Sequence, residues 1–254
     1  MNQDLFEFES YRDLRRDLGR SIGAVYGRGT PAERSWLVKM WSEVVDALSP
    51  SMTLPERDTS LQALRMVSAV LNEQRLFPPA RERPDWLTTD LLGSLSEEAL
   101  ARRRTEVMHT PRATHATVGT VAKELAGSST FRTWATQRAS LKFEEGAHYN
   151  YIFYERSGHY CPMHIDKPDS YPINCLIPLA HVGGGRTRPC STLVVIGEDG
   201  KIDQIGFAAG EALLFSSSAT VHGRTPVEAD ELVVLLSIGL QPLGADVQPA
   251  TASG

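Results

Sequence analysis

His159-Tyr160-Cys161-Pro162-Met163-His164-Ile165-Asp166 stands between an aromatic run, Tyr149 to Tyr154, and an alternating-to-apolar run, Ile173-Asn174-Cys175-Leu176-Ile177-Pro178-Leu179. Its H-x-D sets two metal-ligand residue types two positions apart. On an extended strand such residues point to one face, so His164 and Asp166 can hold one ion through a nitrogen and an oxygen. A third ligand has to come from a remote stretch, and His222 in Thr220-Val221-His222 is the natural candidate. Two imidazoles and one carboxylate on one face of an octahedron leave open corners, the arrangement of non-haem Fe(II) centres. H-x-D alone is common; the strand-like runs on either side give it weight.

Working outward, the chain changes character near residue 138. After it, β-branched and aromatic residues dominate, and strands are expected over 139–144, 149–155, 171–179, 191–196, 202–208, 211–216, 219–222 and 231–239. Glycine- or proline-rich punctuation separates them, as at Gly183-Gly184-Gly185, Ala209-Gly210 and Thr225-Pro226. That many short strands over so short a stretch suggest a jelly roll, the cupin-like double sheet.

Before residue 138 the pattern is helical. Thr30-Pro31-Ala32-Glu33 reads as a capping box ahead of a stripe from Trp36 to Leu48, and Leu61, Leu64, Val67, Val70 and Leu71 mark a second helix. Shorter helices are expected around 96–107, 114–126 and 129–137. The whole is an α+β chain: a helical region 1–138 packing on the barrel, a double-stranded β-helix core 139–242, and a flexible tail 243–254.

The 254 residues are 41% hydrophobic and carry a formal net charge of −5. That acidity argues against nucleic acid or an anionic membrane as a partner, since both select basic surfaces. Arg102-Arg103-Arg104 reads as a solvated helix face. The longest clean apolar stretch, Leu232 to Leu240, is too short to span a bilayer, and Met1-Asn2-Gln3-Asp4-Leu5-Phe6-Glu7 lacks the basic start of a signal peptide. Cys161, Cys175 and Cys190 are odd in number and lack zinc spacing, so a reducing cytoplasm is expected.

Three segments together resemble the Fe(II)/2-oxoglutarate-dependent dioxygenases, most closely the prolyl-hydroxylase and aspartyl/asparaginyl-hydroxylase-like branches. They are Pro162-Met163-His164-Ile165-Asp166, the stretch Gly210 to Phe215, and Val221-His222-Gly223-Arg224-Thr225-Pro226-Val227. The resemblance covers roughly residues 139–242. It implies Fe(II) on His164, Asp166 and His222, 2-oxoglutarate and O2 as co-substrates, and hydroxylation, desaturation or cyclisation of a substrate. A small molecule, such as an amino acid or natural-product intermediate, is the expected partner. The helical layer also offers a face for a homodimer. Asp166 argues against halogenation, which needs the carboxylate replaced.

One departure stands out. Members of the family usually anchor the distal 2-oxoglutarate carboxylate with a cation about ten residues past the second histidine. Here that place reads Asp230-Glu231-Leu232. Arg224, two residues past His222 and on the same strand face, is the first alternative, because a guanidinium grips a carboxylate with two parallel hydrogen bonds. Arg188 and Arg186 ahead of a mid-barrel strand are others, and Arg132 and Arg138 are weaker ones. Asn174 and Tyr151 are further candidate co-substrate contacts, while His148, His159 and His181 are alternative ligands. Two other readings stay open: an Fe(II) oxygenase that does not use 2-oxoglutarate, and a non-enzymatic cupin-like binding protein.

Overall fold

Period-two alternation of apolar side chains organises the molecule. The computed structural model describes residues 51, 64, 65, 68, 71, 75–105, 107–144, 148–166, 171–183, 191–197 and 201–243. In chain order the elements are β1 (Ala80–Glu82), α1 (Thr89–Thr105), β2 (Val107–His109), β3 (Thr114–Ala116), α2 (Thr120–Gly127), α3 (Ser129–Ala139) and β4 (His148–Tyr154). Then follow β5 (Cys161–His164), β6 (Ile173–Val182), β7 (Leu193–Ile196), β8 (Ile202–Ile205), β9 (Ala212–Phe215), β10 (His222–Arg224) and β11 (Leu232–Leu240). They build a seven-stranded sheet in the order β1-β9-β6-β11-β4-β3-β2 and a four-stranded sheet in the order β5-β10-β7-β8. Neighbouring strands run antiparallel.

The large sheet is apolar on both faces, so its long strands read as nearly continuous hydrophobic runs. On one face Tyr151 and Phe153 of β4, Ile173, Cys175 and Ile177 of β6, and Val234, Leu236 and Ile238 of β11 pack against the helices through Leu95, Ala122, Leu125, Phe131 and Trp134. On the other, Leu176, Leu213 and Phe215 meet Leu193 and Val195 of the small sheet. Tyr154, Val233 and Leu235 form a neighbouring cluster with Val227. Helices, large sheet and small sheet are thus three layers, and the space between the two sheets holds the site. No described helix is long and apolar enough to cross a membrane.

From β4 onward most observed strands overlap the expected ones, but β5 lies outside every expected range, 219–222 shares only His222 with β10, and 139–144 contributes only an isolated bridge, Phe143 to Pro242. Two differences matter. The sheet begins before residue 139, because β1, β2 and β3 join its edges. In particular, the helix expected over 114–126 starts as β3 and becomes helical only at Thr120. Strands of three residues carry too few side chains to display a period. Of the second expected helix only residues 64, 65, 68 and 71 are described, and these are helical. The helix from Trp36 to Leu48 and residues 244–254 lie outside the described residues.

Glu98 ties the helical layer to the sheet. Its carboxylate accepts hydrogen bonds from the backbone N–H groups of Gly119, Val121 and Ala122 at 3.0, 2.7 and 3.2 Å. It therefore caps α2, which has no side-chain cap of its own. Glu98 also accepts the Tyr151 hydroxyl at 2.7 Å. A Cβ at 119 would lie 2.4 Å from the Glu98 carboxylate and would push it off these donors. Burial raises the Glu98 carboxyl, but Tyr151 and the three N–H groups outweigh it and hold it below its usual range. A carboxyl lowered in the folded state adds stability above its unfolded range and loses it as pH falls through the folded value. Glu98→Ala is expected to cost about 3 kcal/mol in denaturant unfolding at neutral pH, since it strands several donors. The difference from the parent protein should shrink as the pH is lowered below 4.5. An equal difference at every pH would mean that the carboxylate charge plays no part.

Candidate metal centre and its cavity

β5 and β10 pair so that His164 and His222 are direct cross-strand partners. Asp166 follows just past the end of β5, its N–H donating to Ser217 O at 3.0 Å. The Asp166 Oδ1 lies 3.5 Å from His164 Nε2 and 4.0 Å from His222 Nε2. One ligand atom from each residue lies within 4.8 Å of the others. An octahedral edge is about 3 Å for metal–ligand bonds of about 2.1 Å, so the three close around one ion with small side-chain adjustments.

Neighbours aim each ligand. His164 Nδ1 lies 2.8 Å from Pro162 O, and His222 Nδ1 lies 2.9 Å from Thr220 O. A carbonyl only accepts, so in both rings Nδ1 donates and the Nε2 lone pair faces the centre. Phe215 packs edge-on against His222, with ring centroids 4.8 Å apart. Asn174 donates from Nδ2 to Asp166 Oδ2 at 3.0 Å and accepts the Ser237 hydroxyl at 3.1 Å. This leaves Oδ1 free for the cation. Burial would raise Asp166, but the hydrogen bond from His164, the charges of both histidines and the Asn174 amide hold it well below the usual carboxylate range. Burial and the adjacent His164 pull His222 down to about 4. Burial opposes charge on His164, yet the Cys161 sulfur and Asp166 push it well above the usual imidazole range. A divalent cation would need Nε2 of both histidines unprotonated, so its binding would compete with a proton on His164.

The three ligands line a cavity of about 730 Å³ between the sheets. Along β4 its wall is His148, Asn150, Ile152 and Tyr154 in succession, as the alternation of a strand requires. At the Tyr154 end sits Arg224, only 1% exposed, with its guanidinium carbon 5.5 Å from the Tyr154 ring centroid. Its Nη1 donates to Ser191 Oγ at 2.9 Å. Its Nε and Nη2 are buried and have no hydrogen-bond partner among the described residues. Those two groups form one edge of the guanidinium and present two parallel N–H bonds, the shape that fits a carboxylate. Arginine keeps its charge in proteins, so an unmatched edge is costly unless an anion meets it.

At the His148 end, His148 stacks on Tyr171, with centroids 4.7 Å apart and planes within 3°. Asn150 Nδ2 lies 3.0 Å from His115 Nδ1. Gly239, the cross-strand partner of both His148 and Asn174, makes room for this end. A Cβ there would sit 2.5 Å from Tyr171 Cγ.

The structure therefore brings together His164, Asp166 and His222, with Asn174 on the carboxylate and Arg224 in the same cavity. Tyr151 is a correction. It lies on the opposite face of β4, fully buried among the helices and bonded to Glu98. The parity of the strand puts 148, 150, 152 and 154 inward instead. Arg186, Arg188 and Cys190 lie outside the described residues. His181 pairs with Glu231 at 2.8 Å, and His159 accepts from Glu155 N at 3.3 Å, so neither joins the ligand group. Arg132 bonds the carbonyls of Phe143 and Glu144, and Arg138 pairs with Glu82. Tyr171, His115 and Asn150 went unread in the sequence. Gly239 inside a strand was the available signal, since such a glycine marks close approach of another group.

Replacing Asp166 by Ala is expected to abolish measurable Mn(II) or Ni(II) binding. Asn174→Ala should weaken it by about tenfold to a hundredfold, the usual effect of freeing a metal-bound carboxylate from its support. Calorimetric metal titration checks both, and parental affinity in the Asn174 variant would show that the amide does not orient Asp166.

No protein-family model matches the chain, and no curated protein is similar to it in sequence. Solved structures are similar in fold. A prolyl-4-hydroxylase from Pseudomonas putida superposes with a TM-score of 0.53 at 17% identity, covering 70% of this chain and 99% of that one. The non-haem α-ketoglutarate-dependent epimerase SnoN of nogalamycin biosynthesis gives 0.52 at 12% identity, covering 75% and 94%. HygX from Streptomyces hygroscopicus, solved with nickel and 2-oxoglutarate bound, gives 0.51 at 11% identity, covering 66% and 84%. The antiparallel, two-sheet architecture thus shares the jelly-roll fold of these neighbours.

Proposed function

We propose that this protein is a non-haem Fe(II)/2-oxoglutarate-dependent oxygenase that hydroxylates, desaturates or cyclises a small molecule, such as an amino acid or natural-product intermediate. One observation carries the reading. A buried arginine with an unmatched N–H edge shares a cavity with two imidazoles and a carboxylate converging on a single point. In this reading the two sheets form a double-stranded β-helix, with residues 139–242 as its core and the region before 139 adding helices and edge strands. Cys161 and Cys175, both free thiols, accord with a reducing compartment such as the cytoplasm.

His164, Asp166 and His222 would hold the iron, and its three other corners would take the 2-oxo acid and then O2. Bound there, the metal would supply O2 activation: one oxygen atom would enter succinate as 2-oxoglutarate is oxidised with loss of CO2, leaving the other as the two-electron oxidant of the substrate. Arg224 binds the distal carboxylate through Nε and Nη2. Ile152, Tyr154, Leu176 and Leu235, which line the same cavity, shed water from the co-substrate's methylene groups. The other end, with His115, His148, Asn150 and Tyr171, is left to the substrate. The neighbour SnoN, an epimerase of nogalamycin biosynthesis, supports that choice of substrate size. An oxygenase without 2-oxoglutarate drew its support from the lack of a late-strand cation, and the buried fork of Arg224 weighs against it.

Adding 2-oxoglutarate to anaerobic Fe(II)-loaded protein should produce a weak visible charge-transfer band. Arg224→Ala should raise the 2-oxoglutarate Kd by about a hundredfold, as expected for two hydrogen bonds to a charged group. Arg188→Ala should leave it unchanged. No band, or a band with the same affinity in Arg224→Ala, defeats this assignment. Substrate turnover without stoichiometric succinate defeats the use of 2-oxoglutarate.

A further inference from the structure

Glu231 occupies the place where the resemblance called for a cation, and the structure gives it other work. It is 3% exposed and its carboxylate is saturated by donors. Oε1 accepts from Ser191 N at 2.8 Å, Ser191 Oγ at 2.5 Å and His181 Nε2 at 2.8 Å. Oε2 accepts from Glu228 N at 2.9 Å. The turn that delivers it is tight: Asp230 takes φ 63°, a left-handed conformation that aspartate tolerates better than most residues. Glu231 N donates back to Glu228 O at 3.2 Å.

A hydroxyl has one proton. Ser191 gives its proton to Glu231, so toward Arg224 it can only accept, and it takes Nη1 at 2.9 Å. Ser191 is 1% exposed, and the next residue fixes it in place. Thr192 O accepts from Thr225 N at 3.0 Å, and Thr192 N donates to Thr225 Oγ1 at 2.8 Å. This clasp sits one residue beyond Arg224, where β10 pairs with β7. With Nη1 committed, the guanidinium cannot turn, and its Nε–Nη2 edge is the one left over.

We propose that Glu231 and Ser191 are positioning residues for a carboxylate site on Arg224: Glu231 orients the Ser191 hydroxyl, and Ser191 sets the rotation of the guanidinium. The inference rests on the co-substrate reading of Arg224 given above. It adds two residues that touch neither metal nor co-substrate, and a reason for an acid where a base was expected.

The test uses Mn(II)-loaded full-length protein and two probes, 2-oxoglutarate and oxalate, followed by calorimetry. Oxalate chelates the metal but has no distal carboxylate to meet Arg224. Ser191→Ala and Glu231→Gln should each raise the 2-oxoglutarate Kd by about tenfold and leave the oxalate Kd within about twofold of the parent. A purely structural effect moves both probes together, and that result overturns the proposal. If Arg224→Ala weakens 2-oxoglutarate binding while both positioning variants bind normally, the relay alone falls. If Arg224→Ala has no effect, the co-substrate reading falls first. Ser191→Ala removes one oxygen and leaves Glu231 its other donors, so it decides the matter even if Glu231→Gln does not fold.

Discussion

The pairing of β5 with β10 is the constraint from which the site follows. It sets two histidines directly across from each other, though they are 58 positions apart in the chain (222 − 164). Cross-strand neighbours are held at a nearly fixed separation by the ladder itself. The backbone then does the aiming: each imidazole is turned by the carbonyl two residues before it. The same alternation that lines His164 up with Asp166 lines His222 up with Arg224. A one-residue slip in either strand would turn every one of these groups into a wall. Burial of both faces of the large sheet opposes that slip, since it would move a full set of side chains between the helical layer and the cavity.

How far this was legible depends on what each residue had to declare. Of the candidate metal group, His164 and Asp166 were readable because H-x-D is a local pattern whose geometry follows from an extended strand, while His222 was chosen from its strand context. Most strands from β4 onward were readable from their punctuation, though β5 was not among the expected ranges. The inward face of β4 was misread for a physical reason. The hydroxyl of Tyr151 suggested a co-substrate contact, yet its ring, like those of Tyr149 and Phe153, faces the helices, while Tyr154 lines the cavity. On a sheet buried on both sides hydrophobicity does not tell the faces apart. Polarity does: His148 and Asn150 share a parity with the cavity, and a polar residue on such a strand needs a partner or a ligand.

Glu98 and Glu231 show what a sequence cannot display. Both are carboxylates met chiefly by backbone N–H groups and hydroxyls of remote segments, with the His181 imidazole added at Glu231. Nothing in the local pattern around either residue names Gly119 or Ser191. Burial of a carboxylate is costly unless several donors meet it, so each becomes a point where separate elements are joined. Glu98 joins two helices to β4, and Glu231 joins β11, the segment before β7, and β10 through Ser191.

The charge arrangement at the Arg224 end has a consequence for selectivity. A lone buried guanidinium would draw in any anion by its field. Here Glu231 offsets that field through one neutral hydroxyl, so the net charge of the end is close to zero. Attraction is thereby exchanged for shape: what remains is a pair of parallel N–H bonds that only a planar, bidentate acceptor satisfies. A site built to be hydrogen-bonded rejects an analogue that lacks the group far more strongly than an apolar site rejects a missing methylene, because the protein's own donors are left unpaired in a dry place. On this argument a 2-oxo acid without a second carboxylate is excluded less by lost attraction than by the cost of leaving Nε and Nη2 unmet. The acid at 231 is what makes the discrimination one of geometry.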